Sequence, residues 1–120
     1  MDSELTIEEL KQRVKKFCED RDWDKYHDAK ELAIGIITEA SELLEIFRFK
    51  SEKEIEELFN SEKDKERISE ELVDTLYFIL RLAQKYDIDI SEAFEKKMMK
   101  NEAKYPVEKS KGINKKYTEF

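Results

Sequence analysis

Chain breakers are scarce in this 120-residue sequence, which has two glycines, Gly35 and Gly112, and one proline, Pro106. Tight turns are therefore few, and with abundant Glu, Lys and Leu the scarcity predicts an all-α protein. Cys18 is the only cysteine, so an intrachain disulfide and a cysteine-rich zinc site are both excluded, and a reducing compartment is expected. Nor does Cys18 have a candidate base at helical spacing, so no nucleophile dyad is indicated. His27 is the only histidine, which excludes a di-iron bundle needing Glu-x-x-His on two helices. No apolar run approaches the length of a membrane span, and the start, Met1-Asp2-Ser3-Glu4-Leu5-Thr6, is acidic where a signal peptide is basic. The expectation is a soluble, cytoplasmic protein with no membrane partner.

Charge, by contrast, is plentiful: 44% of residues are Asp, Glu, Lys or Arg, with a net charge of −7. Its distribution is uneven, since residues 1–95 hold 15 basic and 27 acidic side chains and residues 96–120 hold 8 and 3. A body so acidic argues against nucleic acid as a partner. The length suits one domain with a modest core, and small domains of this kind often gain stability by association.

Thr6, with Glu9 three residues on, predicts a capping box and a first helix running to about Asp22. Asp22 to His27 reads as a loop. Asp28 then caps a helix over about Ala29 to Phe49, and Ser51 caps a short acidic helix through Phe59. A charged connector leads to a helix over about Lys65 to Tyr86. Ser91 caps a last helix to about Tyr105, ended by Pro106. Residues 1–106 are thus read as one helical domain and 107–120 as an irregular tail, with Ile113, Tyr117 and Phe120 as its anchors.

Two acidic pairs stand out. Glu39 and Glu42, and Glu71 and Asp74, are each three residues apart, which sets each pair on one side of a helix. At 100° per residue Glu39 falls within the stripe formed by Leu32, Ile36, Leu43 and Ile46, with Glu42 on its flank. Val73 to Leu80 is apolar nearly all round, which predicts that Asp74 is carried into the interior. A buried carboxylate without a partner costs several kcal/mol or stays protonated. Two like charges about 4 Å apart repel by roughly 4 kcal/mol at an effective dielectric near 20. Hard divalent cations, Mg²⁺ or Mn²⁺, supply the compensation, and salt bridges across the bundle are the competing explanation. Gly35, one turn before Glu39, either leaves room for a ligand or permits close helix packing.

The pattern Glu-x-x-Glu, 28 residues, then Glu-x-x-Asp resembles the all-α nucleoside triphosphate pyrophosphohydrolases, which include MazG proteins, dimeric dUTPases and dCTP pyrophosphatases. The segments Arg21-Asp22-Trp23-Asp24-Lys25-Tyr26-His27, Glu42-Leu43-Leu44-Glu45-Ile46-Phe47, Glu70-Glu71-Leu72-Val73-Asp74 and Lys97-Met98-Met99-Lys100-Asn101-Glu102-Ala103-Lys104-Tyr105-Pro106 resemble the short MazG-like, dCTP-pyrophosphatase type. The resemblance implies a MazG-like bundle of four to five helices that is oligomeric, as a homodimer or homotetramer. It also implies Mg²⁺-dependent hydrolysis of (deoxy)nucleoside triphosphates to monophosphate and pyrophosphate, in the manner of nucleotide-pool house-cleaning. Glu39, Glu42, Glu71 and Asp74 would then hold the metal, and water would attack the α-phosphorus in line.

Lys97, Asn101 and Lys104 recur at spacings of four and three, a helix face with Tyr105 beside it that reaches a triphosphate or is simply a solvated lysine-rich end. His27, Trp23, Phe49 and Phe78 match positions that line a nucleobase slot in the dCTP-pyrophosphatase branch, which carries tryptophan at the position of Phe49 and tyrosine at that of Phe78. Base preference is left open by these two departures. The reading from another class is a non-enzymatic helical adaptor whose acidic helices dock a basic protein.

Overall fold

Local hydrogen bonding decides where the helices start. Thr6 Oγ1 accepts from the Glu9 backbone N–H at 3.1 Å and opens α1, Ile7–Asp20. The helix closes sooner than its sequence pattern predicts, because Asp22 takes a left-handed conformation (φ 55°). From there the Asp22 and Trp23 N–H groups reach back to the Glu19 and Cys18 carbonyls, a Schellman closure with Asp in the place usually taken by Gly. Asp24–Tyr26 forms a 3₁₀ turn. Asp28 accepts from the Glu31 N–H at 2.8 Å and opens α2, Ala29–Phe47.

The reciprocal capping box is found at Ser51 and Glu54, at the head of α3, Glu52–Asn60. Ser61 serves two helices at once, since its N–H bonds to Leu58 O behind it and its hydroxyl accepts from the Asp64 N–H ahead. In consequence α4, Glu62–Lys85, starts three residues before the predicted Lys65. The charged connector is its first turn.

The computed structural model describes all 120 residues, is helical with no strand, and divides into two compact units, Met1–Asp87 and Ile88–Phe120. In the first unit α2 and α4 are the principal pair, with α1 and α3 packed on α4. Gly35 lies against Phe78 and Glu42 lies near Glu71, so the two helices run antiparallel. Leu32, Ile46, Ile68, Leu80, Ala83 and Cys18 form the buried apolar core. Cys18 Sγ sits 3.0 Å from Tyr77 Oη, and burial is the first cause raising the Tyr77 phenol above its ordinary pKa.

That core buries Ile68, Leu80, Arg81 and Ala83 of α4 and leaves part of the helix between them uncovered. Leu72, Val73, Leu76 and Ile79 remain exposed, and so does Asp74, which was expected to be carried inward. No helix is long and apolar enough to cross a membrane.

In the second unit Asp89, rather than Ser91, caps α5, Ile90–Lys104, by accepting from the Glu92 N–H at 2.9 Å. Beyond Pro106 the chain forms a one-turn helix α6, Val107–Ser110, and a 3₁₀ turn, Tyr117–Glu119. Tyr105 meets Tyr117 and Phe120 edge-on, with both pairs of ring centres 5.8 Å apart. Of the three anchors predicted for the tail, Tyr117 and Phe120 pack on the end of α5.

Candidate active site

Antiparallel pairing places the first acidic pair, on α2, beside the second, on α4. Carboxylate oxygens of Glu39, Glu42 and Glu71 lie within 4.8 Å of one another. Glu39 and Glu71 are half-buried and Glu42 is exposed. The Glu39 carboxyl is held above the ordinary carboxylate range, first by lost hydration, then by hydrogen bonding to Glu42, then by the charges of Glu42, Asp74 and Glu71. Lost hydration is likewise the first cause for Glu71, followed by Glu42 and Asp74, with Arg67 acting in the opposite direction. Asp74 thus adds its charge from the exposed flank without belonging to the tight triplet.

Nothing within the chain neutralises this cluster by direct contact. The ion pairs of the first unit run elsewhere, as in Lys16–Asp20, Arg48–Glu45 and Arg81–Asp24. One oxygen of Glu71, Oε2, is buried and has no hydrogen-bond partner. An unsatisfied buried carboxylate oxygen is costly, and three convergent acids with one such atom fit a hard divalent cation. The donor set contains no sulfur and no imidazole, which suits Mg²⁺ or Mn²⁺.

The loop before α2 carries His27 and Trp23. Trp23 meets His27 edge-on at 6.5 Å and Phe17 at 5.6 Å between ring centres. A residue absent from the sequence reading organises this loop: Arg81 of α4, with 1% exposure. Its Nη2 donates to Asp24 Oδ1 at 2.7 Å, its Nε to His27 Nδ1 at 3.1 Å and its Nη1 to Gln84 Oε1. Lys85 adds a bond from Nζ to the Asp24 carbonyl at 2.8 Å. The signal available in the sequence was an arginine inside the apolar run Leu80-Arg81-Leu82, two turns after Asp74 on the same helix face.

Phe78 lies flat in the space that Gly35 vacates; a Cβ added there would come within 2.5 Å of the ring. The glycine therefore admits Phe78 rather than a ligand. Phe49, expected to end α2, lies two residues beyond its end at Phe47 in a left-handed conformation (φ 63°), 90% exposed, with the Arg48 guanidinium 4.5 Å from its ring centre. In the second unit Lys97, Asn101 and Lys104 share a face of α5, Asn101 is half-buried, and Lys104 Nζ lies 4.9 Å from the Tyr117 ring centre.

Known proteins place this geometry. The MazG-like family model matches residues 34–120, which includes the predicted tail. The mouse protein dCTP pyrophosphatase 1 is 33% identical over 117 residues, covering 98% of this chain and 69% of the mouse protein. Its human counterpart is 30% identical over the same shares of the two chains. A crystal structure of a pyrophosphatase from Archaeoglobus fulgidus superposes with a TM-score of 0.76 at 42% identity, covering 82% of this chain and 91% of that one. With the paired acidic motifs facing each other across α2 and α4, and similarity running nearly end to end with proteins named pyrophosphatases, the chain belongs to the MazG-like family.

Proposed function

We propose that this chain is a Mg²⁺-dependent nucleotide pyrophosphatase that hydrolyses nucleoside triphosphates, dCTP among them, to the monophosphate and pyrophosphate, as a house-cleaning step on the nucleotide pool. The nucleotide-pyrophosphatase class rests on its relatives. The observation that carries the metal and the chemistry is the unneutralised cluster of Glu39, Glu42 and Glu71 with its unpartnered Glu71 oxygen. Glu39, Glu42, Glu71 and Asp74 would hold Mg²⁺, which when bound supplies neutralising charge to the phosphates and acidity to water.

The chain's own residues do the rest. Half-buried walls around Glu39 and Glu71 lower the local dielectric and strengthen every charge contact made there. A carboxylate of this set would orient water towards the α-phosphorus and take its proton. Trp23, His27 and Phe78 are the proposed base-side residues; Phe49, expected beside them, stands at the opposite end of the 19-residue α2 from His27 and cannot share that slot within one chain. Lys97, Asn101, Lys104 and Tyr105 are proposed for the phosphate tail, where charge-assisted bonds are strongest.

The test uses dCTP and Mg²⁺ in ¹⁸O-labelled water. Attack at the α-phosphorus puts the label in the monophosphate and leaves pyrophosphate intact. Label in pyrophosphate, or release of orthophosphate with a diphosphate, refutes the mechanism. Glu71→Gln and Asp74→Asn should each abolish turnover while preserving helical circular dichroism, and wild-type turnover in both removes the site.

A further inference from the structure

We propose that Arg81 is a positioning residue that holds His27 as the neutral Nε2–H tautomer, so that the imidazole offers a bound nucleobase a hydrogen-bond donor and no acceptor. The guanidinium of Arg81 has only N–H groups and keeps its proton under all ordinary conditions. Because its Nε donates to His27 Nδ1 at 3.1 Å, that nitrogen must supply the lone pair. A proton on Nδ1 would set two N–H groups against each other. The remaining proton of a neutral ring therefore sits on Nε2, the nitrogen left for a ligand.

Arg81 is fixed well enough to impose this choice. It is 1% exposed, and its other nitrogens are taken by Asp24 and Gln84. Around His27 the charged groups are Arg81 and Lys85 on α4 and Asp24 in the loop, two cations against one anion, with the Trp23 ring edge-on at 6.5 Å between centres. Burial, then Arg81, then Lys85 all disfavour the imidazolium, and Asp24 alone favours it. The Arg81 bond opposes the reversed tautomer, and the surrounding charges disfavour a second donor.

The consequence is selective. A base that turns a ring nitrogen or a carbonyl oxygen towards His27 is accepted, and one that turns an N–H towards it leaves two donors facing. Loss of such a bond on binding amounts to a discrimination on the order of tenfold to a hundredfold. His27 directly precedes the Asp28 cap of α2, and Arg81 lies on α4, so the pair is built onto the same two helices as the acidic cluster.

The identity of the ligand rests on the pyrophosphatase reading, whereas the tautomer does not, and the experiment separates them. His27 is the only histidine, so ¹⁵N-edited spectra of the full chain at neutral pH report it without assignment. The expected result is a protonated Nε2 with an unprotonated Nδ1 in the wild type, and tautomer averaging in Arg81→Lys. A protonated Nδ1, or averaging in the wild type, overturns the proposal. If Arg81→Lys does not fold, Asp24→Asn loosens the same guanidinium and should give the same averaging. Adding dCTP with Mg²⁺ should shift the Nε2–H signal, and an unmoved signal at saturation overturns the ligand-facing half whether or not the nucleotide is hydrolysed. In turnover, Arg81→Lys and His27→Leu should raise KM on the order of tenfold to a hundredfold with kcat near the wild-type value. His27→Gln, whose amide N–H replaces Nε2–H, should keep KM near the wild type, and a KM as poor as that of His27→Leu counts against donor recognition.

Discussion

Glu39 and Glu71 are placed where they are electrostatically uncomfortable in the absence of a cation. Both carboxyls sit above their ordinary range because burial and neighbouring acids disfavour the charged form. The folded chain therefore binds protons at these sites more readily than the unfolded chain does. By linkage, their contribution to stability is greatest in acid and declines as pH rises through the carboxylate range. Glu39→Gln should accordingly melt at a higher temperature than the wild type at neutral pH without divalent ions, with the gap closing on acidification. Saturating Mg²⁺ should reverse the order, since a ligand at 100 times its Kd stabilises by about 2.7 kcal/mol and the variant lacks part of the site. Thermal melts over a pH series, with and without Mg²⁺, check both parts; a variant no more stable than the wild type in metal-free neutral buffer removes the argument.

Between elements, the decisive contact is Phe78 against Gly35. Gly35→Ala gains about 1 kcal/mol of helix propensity but forces the ring away, and overpacking of this kind costs about 1–3 kcal/mol. The Cβ would meet three ring atoms at 2.5, 2.6 and 2.8 Å, so the loss outweighs the gain. Net destabilisation in urea melts is expected, and a more stable variant would show that the helices separate freely. This contact was legible in the sequence only as a choice between a ligand space and close packing. Helix starts at Thr6, Asp28 and Ser51 were readable because a cap is a local bond across three residues. The start of α4 was missed because Ser61 also closes α3, and that of α5 because Asp89 caps ahead of Ser91. The acidic pairs announced themselves by spacing. Arg81 did not, since its partners Asp24 and His27 lie 57 and 54 residues away and no periodicity encodes them.

For the molecule as a whole, the exposed apolar stretch in the middle of α4 asks for a cover. Leu72, Val73, Leu76 and Ile79 are 53%, 60%, 39% and 37% exposed. Val73 and Leu76 also line an open groove of about 460 Å³ with Leu10, Val14, Phe17 and Tyr77. Contiguous apolar surface of this kind marks association, and we expect copies of the chain to pair through it. Light scattering behind gel filtration should give a mass that is a multiple of 14.4 kDa. Val73→Glu should move it towards the monomer, and a wild-type monomer at every concentration would refute the pairing. One feature of the loop gives such experiments a readout. Trp23, the only tryptophan, touches Phe17 of α1 and His27 at the mouth of α2, and Phe17 in turn meets Tyr77 of α4. A lone indole on that chain of rings is an intrinsic fluorophore, and its emission follows loop docking and unfolding with no label attached.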